Sequence, residues 1–216
     1  METATATAAQ RKMPRPRADA LRNRERIVAA AREMFVESGA EVPLDEVARR
    51  AGTGNATLYR NFPDRVALQR EVVCSVMDRV SEQVEQMLTE TGDAFESLSR
   101  FVHTSADERI GALCPMLSEA FDENHPDLVA SRERVEELIE TLMERARRAG
   151  QLRPDVVVAD LMIVISQLTR PLPGTARPNM DRFVHRHLQL FLDGLRAPAR
   201  SELPGAAATM EDLRRP

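Results

Sequence analysis

LDEVARRAGTGNATLYRNFPDR, residues 44–65, is the stretch on which the reading of the whole chain turns. Leu44, Val47, Ala48 and Ala51 recur at i, i+3, i+4 and i+7, the apolar face of a short helix. Gly52 and Gly54 then stop that helix and permit a tight turn. Asn55 suits the N-cap of a second helix through its side-chain oxygen. That helix has two large apolar anchors, Leu58 and Phe62, one turn apart; the residues between and around them are polar or small. A short helix pinned along one edge, with hydroxyls, an amide and a guanidinium elsewhere, is what a DNA major groove accepts. The pattern predicts a helix-turn-helix with residues 55–62 as recognition helix. An ordinary hairpin in a bundle is disfavoured, because the polar second helix would have no face left to bury.

Upstream, Ile27, Ala30, Ala31, Met34 and Phe35 give a helical stripe, predicting a first helix over residues 19–38 that ends at Ser38-Gly39. Residues 1–18 are poor in apolar side chains and read as a disordered arm. Its Arg11, Lys12, Arg15 and Arg17 suit either a reach toward phosphates or simple solubility. Downstream, Asp64 is placed to cap a long helix. Its stripe, Val73, Val76, Met77, Val80, Val84, Met87 and Leu88, keeps helical period to about Thr89. Further helices are expected near 93–104, 106–122 (kinked or split by Pro115), 126–149, 156–170 and 178–195. The expected organisation is an arm (1–18), a DNA-binding domain (19–64), a helical body (65–196) and a disordered tail (197–216).

Composition agrees with an all-α chain of about nine helices. Of 216 residues 43% are hydrophobic and 30% charged, only 4% are aromatic, and glycine is sparse. The net charge of −4 looks wrong for a DNA binder until it is divided. Residues 1–65 hold 12 basic and 9 acidic side chains, whereas residues 66–216 hold 18 and 25, so a basic reader is joined to an acidic body. Cys74 and Cys114 are too few for a disulfide framework. The first residues lack the apolar run of a signal peptide, and Val156–Leu168 is too short and too interrupted to span a bilayer. A cytoplasmic protein without a membrane partner is expected. No phosphate loop, nucleophile elbow or zinc-ligand spacing appears, so no enzyme, cofactor, catalytic residue or metal ligand is expected.

The run AGTGNATLYRNFPDRVAL, preceded by DEVARR, resembles the DNA-binding domain of the TetR family of transcriptional repressors. The likeness is carried best by Thr57-Leu58-Tyr59, Phe62, Arg65 and Ala67-Leu68. It departs from the family's habits at Thr53-Gly54, Asn61 and Arg65, positions that bear on base preference and single phosphate contacts. The resemblance covers about residues 20–75 and implies that Thr57, Tyr59, Asn61 and Arg65 touch the DNA backbone. By side-chain chemistry the base edges fall to Thr53, Asn55, Ala56 and Arg60.

The resemblance also implies a cavity in the body for a small, largely apolar effector. Met77, Phe95, Phe101, Met116, Phe121 and Met143 are the apolar candidates, with His103 and Arg109 as polar groups. Surplus apolar surface on the last two helices predicts a two-fold, four-helix homodimer interface through Leu161, Ile165, Leu168, Phe183, His187 and Phe191. A homodimer would place two recognition helices in successive major grooves, on half-sites about 34–36 Å apart in a near-palindromic operator. Repression relieved by the effector is what the resemblance implies. The alternative is a helical small-molecule binder or scaffold with a degenerate helix-turn-helix.

Overall fold

A computed structural model describes residues 15–113, 124–170 and 181–213. The described residues form nine helices: α1 (Arg15–Ser38), α2 (Leu44–Arg50), α3 (Asn55–Asn61), α4 (Arg65–Thr89), α5 (Ala94–Asp107), α6 (Ile110–Leu113), α7 (Pro126–Arg148), α8 (Val158–Leu168) and α9 (Asp181–Leu195). The all-α expectation therefore holds. α1 starts at Arg15 rather than Asp19; proline is tolerated in a first helical turn, so Pro16 does not prevent it. Residues 1–14 of the expected arm, the Pro115 kink and most of the loop before α9 lie outside the described residues.

The stripe on α1 faces inward as its spacing requires, with Ile27, Ala31 and Phe35 buried against Val47 and Ala48 of α2 and Leu58 of α3. α4 begins where Asp64 Oδ1 accepts from the Ala67 backbone N–H at 2.7 Å, as its sequence predicts. At 25 residues it is about 37 Å long, enough to serve two modules. Leu68 and Val72 near its start join the core against α1, and Val80, Val84 and Met87 farther along belong to the body, where α7 packs beside it.

Of the single helix expected over 106–122, Ala106 and Asp107 instead close α5, a turn at Glu108 and Arg109 follows, and α6 is described over Ile110–Leu113; residues 114–122 lie outside the described residues. The segment after α9 departs from a free tail at its start. Ala197 N–H donates to the Gln151 carbonyl, and the buried Arg153 side chain donates to Asp155 and to the Ser201 carbonyl. Arg153 and Asp155 reinforce each other's charge, the carboxyl held below and the guanidinium above their ordinary ranges by the shared hydrogen bonds. Farther on, Met210 rests against the core.

Candidate DNA interface and effector cavity

The first functional surface is α3 and the turn before it. Leu58 is fully buried and Phe62 is 1% exposed, so these two anchors hold the helix against α1 and α2 as the sequence predicts. Asn55, Ala56, Tyr59 and Arg60 are exposed; Tyr59 is 52% so. Gly54, not Asn55, is the N-cap, which leaves the Asn55 amide free of capping and in solvent. Arg60 Nε donates to the Ala56 carbonyl, and Asn61 Nδ2 donates to the Thr57 carbonyl at 2.8 Å. Thr57 and Asn61 are half-buried.

Of the residues expected to meet DNA, one is engaged elsewhere and one is shielded. Arg65 Nη1 donates to the carbonyls of Ala40 and Val42, both at 2.7 Å, so the expected phosphate clamp binds the loop between α1 and α2. Thr53 Oγ1 is shielded from solvent and has no hydrogen-bond partner among the described residues, so a base would not meet it in this conformation. The sequence offered no sign of either, because both depend on how the loops fold back.

Two arginines of α1 brace the reader from behind. Arg26 Nη2 donates to the carbonyls of Ala51 (2.5 Å) and Gly52 (3.1 Å), closing the turn between α2 and α3. Arg24 forms a two-nitrogen bridge to Glu71 of α4, donates to the Asn61 carbonyl at 3.1 Å, and stacks 4.4 Å over the Phe62 ring. The end of α3 is thus tied at once to α1 and α4. Fixed placement of a reading helix matters because base hydrogen bonds tolerate little misalignment.

The second surface is a cavity of about 80 Å³ among α4, α5, α6, α7 and α8. Among the described residues its lining is apolar: Val73, Val76, Met77, Val80, Phe101, Ile110, Leu113, Val135, Ile139 and Met162. Of the expected pocket residues, Met77 and Phe101 are there. Phe95 and Met143 are fully buried in the core but do not line it, and Arg196 lies 4.1 Å over the Phe95 ring. His103 instead faces His185 of α9. Arg109 is not in the lining; it occupies a left-handed backbone position (φ 53°) just before α6. Met116 and Phe121 lie outside the described residues. The valines of α4 were visible as a helical stripe, but nothing in the sequence distinguished cavity wall from solid core.

Glu108 connects the two surfaces. It follows α5 and stands two residues before the cavity-lining Ile110. Its carboxylate takes an ion pair from Arg32 of α1 and lies 3.6 Å from Arg79 Nη1 of α4. Burial pushes the Arg32 guanidinium below its ordinary pKa, and the Glu108 charge opposes that shift. A carboxylate holding two helices of different modules, beside a strained residue and a cavity wall, is placed to feel changes on either side.

The expected dimer residues divide into two sets. Leu161 and Ile165 are fully buried inside the protomer, so they belong to its own core and not to an interface. Leu168 and Phe191 are partly buried and also pack on that core. Phe183 (40% exposed) and His187 do face outward, joined by Leu190 (59% exposed), which the sequence reading missed although it lies seven residues after Phe183. The error has a simple origin: an apolar helix gives no sign of which side its own domain will cover.

With this geometry in place, similarity to known proteins is decisive. Residues 27–72 match the family described as "Bacterial regulatory proteins, tetR family" and residues 90–197 match "Transcriptional regulator SbtR-like, C-terminal domain". The chain belongs to the TetR family. An HTH-type transcriptional regulator of Mycobacterium tuberculosis, Rv2250c, is 30% identical over 153 residues, covering 67% of this chain and 78% of the relative. The HTH-type regulator SAB2452 of Staphylococcus aureus is 35% identical over 72 residues, which span 33% of this chain and 39% of that protein's length. The TetR regulator SCO0520 of Streptomyces coelicolor has a similar structure, with a TM-score of 0.63 and 30% identity over 82% of this chain and 99% of that one. LfrR of Mycobacterium smegmatis, solved in complex with proflavine, shares the fold at a TM-score of 0.56 and 20% identity, over 79% of this chain and 96% of its own. The protein is a TetR-family transcriptional regulator with an N-terminal helix-turn-helix and a C-terminal helical domain. No described helix is long and apolar enough to cross a membrane, and among the described residues no three His, Cys, Asp or Glu side chains group as metal ligands.

Proposed function

We propose that the protein represses transcription as a homodimer on a near-palindromic operator and is released from it by a small, largely apolar molecule. The observation that carries the DNA half is the exposure of Asn55, Ala56, Tyr59 and Arg60 on a helix anchored by the buried Leu58 and by the buried Phe62 that follows it. Asn55 has the amide to pair with adenine, Arg60 the guanidinium to pair with guanine, and Ala56 is small enough to meet a thymine methyl. Tyr59, Thr57 and Asn61 are assigned to phosphate oxygens, which position the protein without reading sequence.

The effector half rests on the apolar lining and on size. Drug-sized ligands occupy roughly 300–1,000 Å³, several times the about 80 Å³ of this cavity. An effector must therefore widen the cavity, displacing Ile110 and Leu113 and with them the neighbouring Glu108. A ligand that fits only a widened body has different affinities for two conformers, which is the requirement for switching. The complex of LfrR with proflavine supports the same use of the fold in another protein. A coupling of about 1–3 kcal/mol is typical, and it is reciprocal: operator must weaken effector binding by the same factor.

The test is a mobility shift at low salt with DNA flanking the protein's own coding region. The wild type should retard one fragment specifically, and Asn55→Ala/Tyr59→Ala should abolish that shift while keeping its helical circular dichroism. Indifference of the wild type to all such DNA would leave the degenerate helix-turn-helix as the better reading.

A further inference from the structure

α5 and α9 pass each other antiparallel, and each sets a histidine opposite the other's. His103 Nδ1 lies 2.9 Å from His185 Nδ1, with ring centroids 5.2 Å apart. The second nitrogen of each ring is met by the residue one turn along the facing helix. His103 Nε2 lies 3.3 Å from Gln189 Oε1, and His185 Nε2 lies 3.0 Å from Asp107 Oδ1.

Both of those partners accept hydrogen bonds. An ionised carboxylate has no proton to give. Gln189 Nε2 already donates to Asp193 Oδ1, which turns the amide oxygen toward His103. These partners favour the tautomer in which each Nε2 carries its ring's proton, and in that tautomer the two Nδ1 atoms face one another as lone pairs. Lone pairs at 2.9 Å repel unless a positive charge lies between them.

We propose that His103 and His185 form a two-histidine site for a divalent transition-metal ion, best fitted to Cu(II) or Ni(II). Metal-ligating histidines characteristically donate their other ring N–H to a carboxylate or carbonyl oxygen, which fixes the tautomer and strengthens the ligand. Asp107 and Gln189 supply that support, each from the opposite helix. With metal–nitrogen bonds of roughly 2.0–2.1 Å, the Nδ1 separation gives a ligand angle of about 90°. That angle suits two neighbouring positions of a square-planar or octahedral ion better than a tetrahedral one. The site is open to solvent, the His185 side chain being 39% exposed, so water completes the coordination. With two protein ligands, selection falls to intrinsic affinity, which is highest for Cu(II). The bound ion would staple α5 to α9, the helix that carries the outward Phe183 and Leu190.

The experiment titrates untagged, full-length protein with Cu(II) at near-neutral pH, followed by calorimetry and electron paramagnetic resonance. The expected result is about one Cu(II) per chain, with hyperfine structure from two imidazole nitrogens. His103→Gln and His185→Gln should each weaken binding at least about ten-fold and remove one nitrogen from the spectrum; Asp107→Asn should weaken it by roughly ten-fold. His125→Gln should bind as the wild type does. Both histidine-pair variants should keep the metal-free melting temperature, which separates loss of the site from loss of the fold. Copper affinity unaffected by either substitution would overturn the proposal. So would a pair that, by nitrogen NMR, shares a single proton and takes up no copper.

Discussion

Gly52 has φ +63°, and a methyl group added there would stand 2.6 Å from Arg26 Nη2, the atom that also closes the turn. Two penalties are superimposed at this residue: a left-handed backbone that L side chains resist, and displacement of an arginine from two carbonyls. They separate in a double-mutant cycle. Gly52→Ala alone should cost about 1–3 kcal/mol of unfolding free energy by urea denaturation, strain and lost contacts together. In an Arg26→Ala background the same change should cost only the strain, about 1 kcal/mol; full additivity would show that the arginine is indifferent to the methyl. Arg65 calls for a different measurement. Because its Nη1 holds the Ala40 and Val42 carbonyls, Arg65→Ala should lower stability by about 1–2 kcal/mol and weaken all operators alike. The slope of log affinity against log salt should stay unchanged; a fall of about one unit would restore the phosphate contact expected from the sequence.

α6 is seated hard against the end of α8. A Cβ on Gly111 would meet the Ser166 carbonyl oxygen at 2.2 Å and Thr169 Oγ1 at 2.5 Å, and the Gly111 N–H already donates to that hydroxyl. Gly111→Ala must therefore push α6 away from α8, as a cavity-filling effector would. Overpacking of this kind costs about 1–3 kcal/mol, and the variant should release its operator without effector. A variant that is folded and still binds DNA with wild-type affinity would uncouple α6 from the reader. At this scale the sequence was informative where periodicity has one meaning. The α1 stripe, the Leu58–Phe62 pair and the Asp64 cap each follow from residues within a turn or two of one another. It was silent where a position depends on a distant segment. Arg65 turning inward, Glu108 meeting Arg32, and the choice of valines that bound a cavity are all settled by packing between helices far apart in the chain.

In the whole molecule the same limit governs assembly. A reader helix of seven residues spans too little of a groove to bind tightly alone, and a two-fold pair would supply the second half-site. Leu161 and Ile165, the residues first assigned to that pairing, are spent on the protomer's own core, so the proposed two-fold contact would fall to residues that remain outward. On α9 these include Phe183, His187 and Leu190, which lie at i, i+4 and i+7 and so share one face. Leu190 is 59% exposed, so a charge there costs the isolated protomer little, whereas at a two-fold axis two copies of that charge would be buried close together. Leu190→Glu should therefore leave the melting of secondary structure nearly unchanged at low protein concentration and shift the species seen by light scattering from dimer to monomer. Operator affinity should fall steeply with it, because the two half-sites would then be bound independently. A Leu190→Glu protein that remains dimeric would move the interface off this face of α9, while one that is monomeric yet binds the operator as before would detach DNA binding from dimerisation altogether.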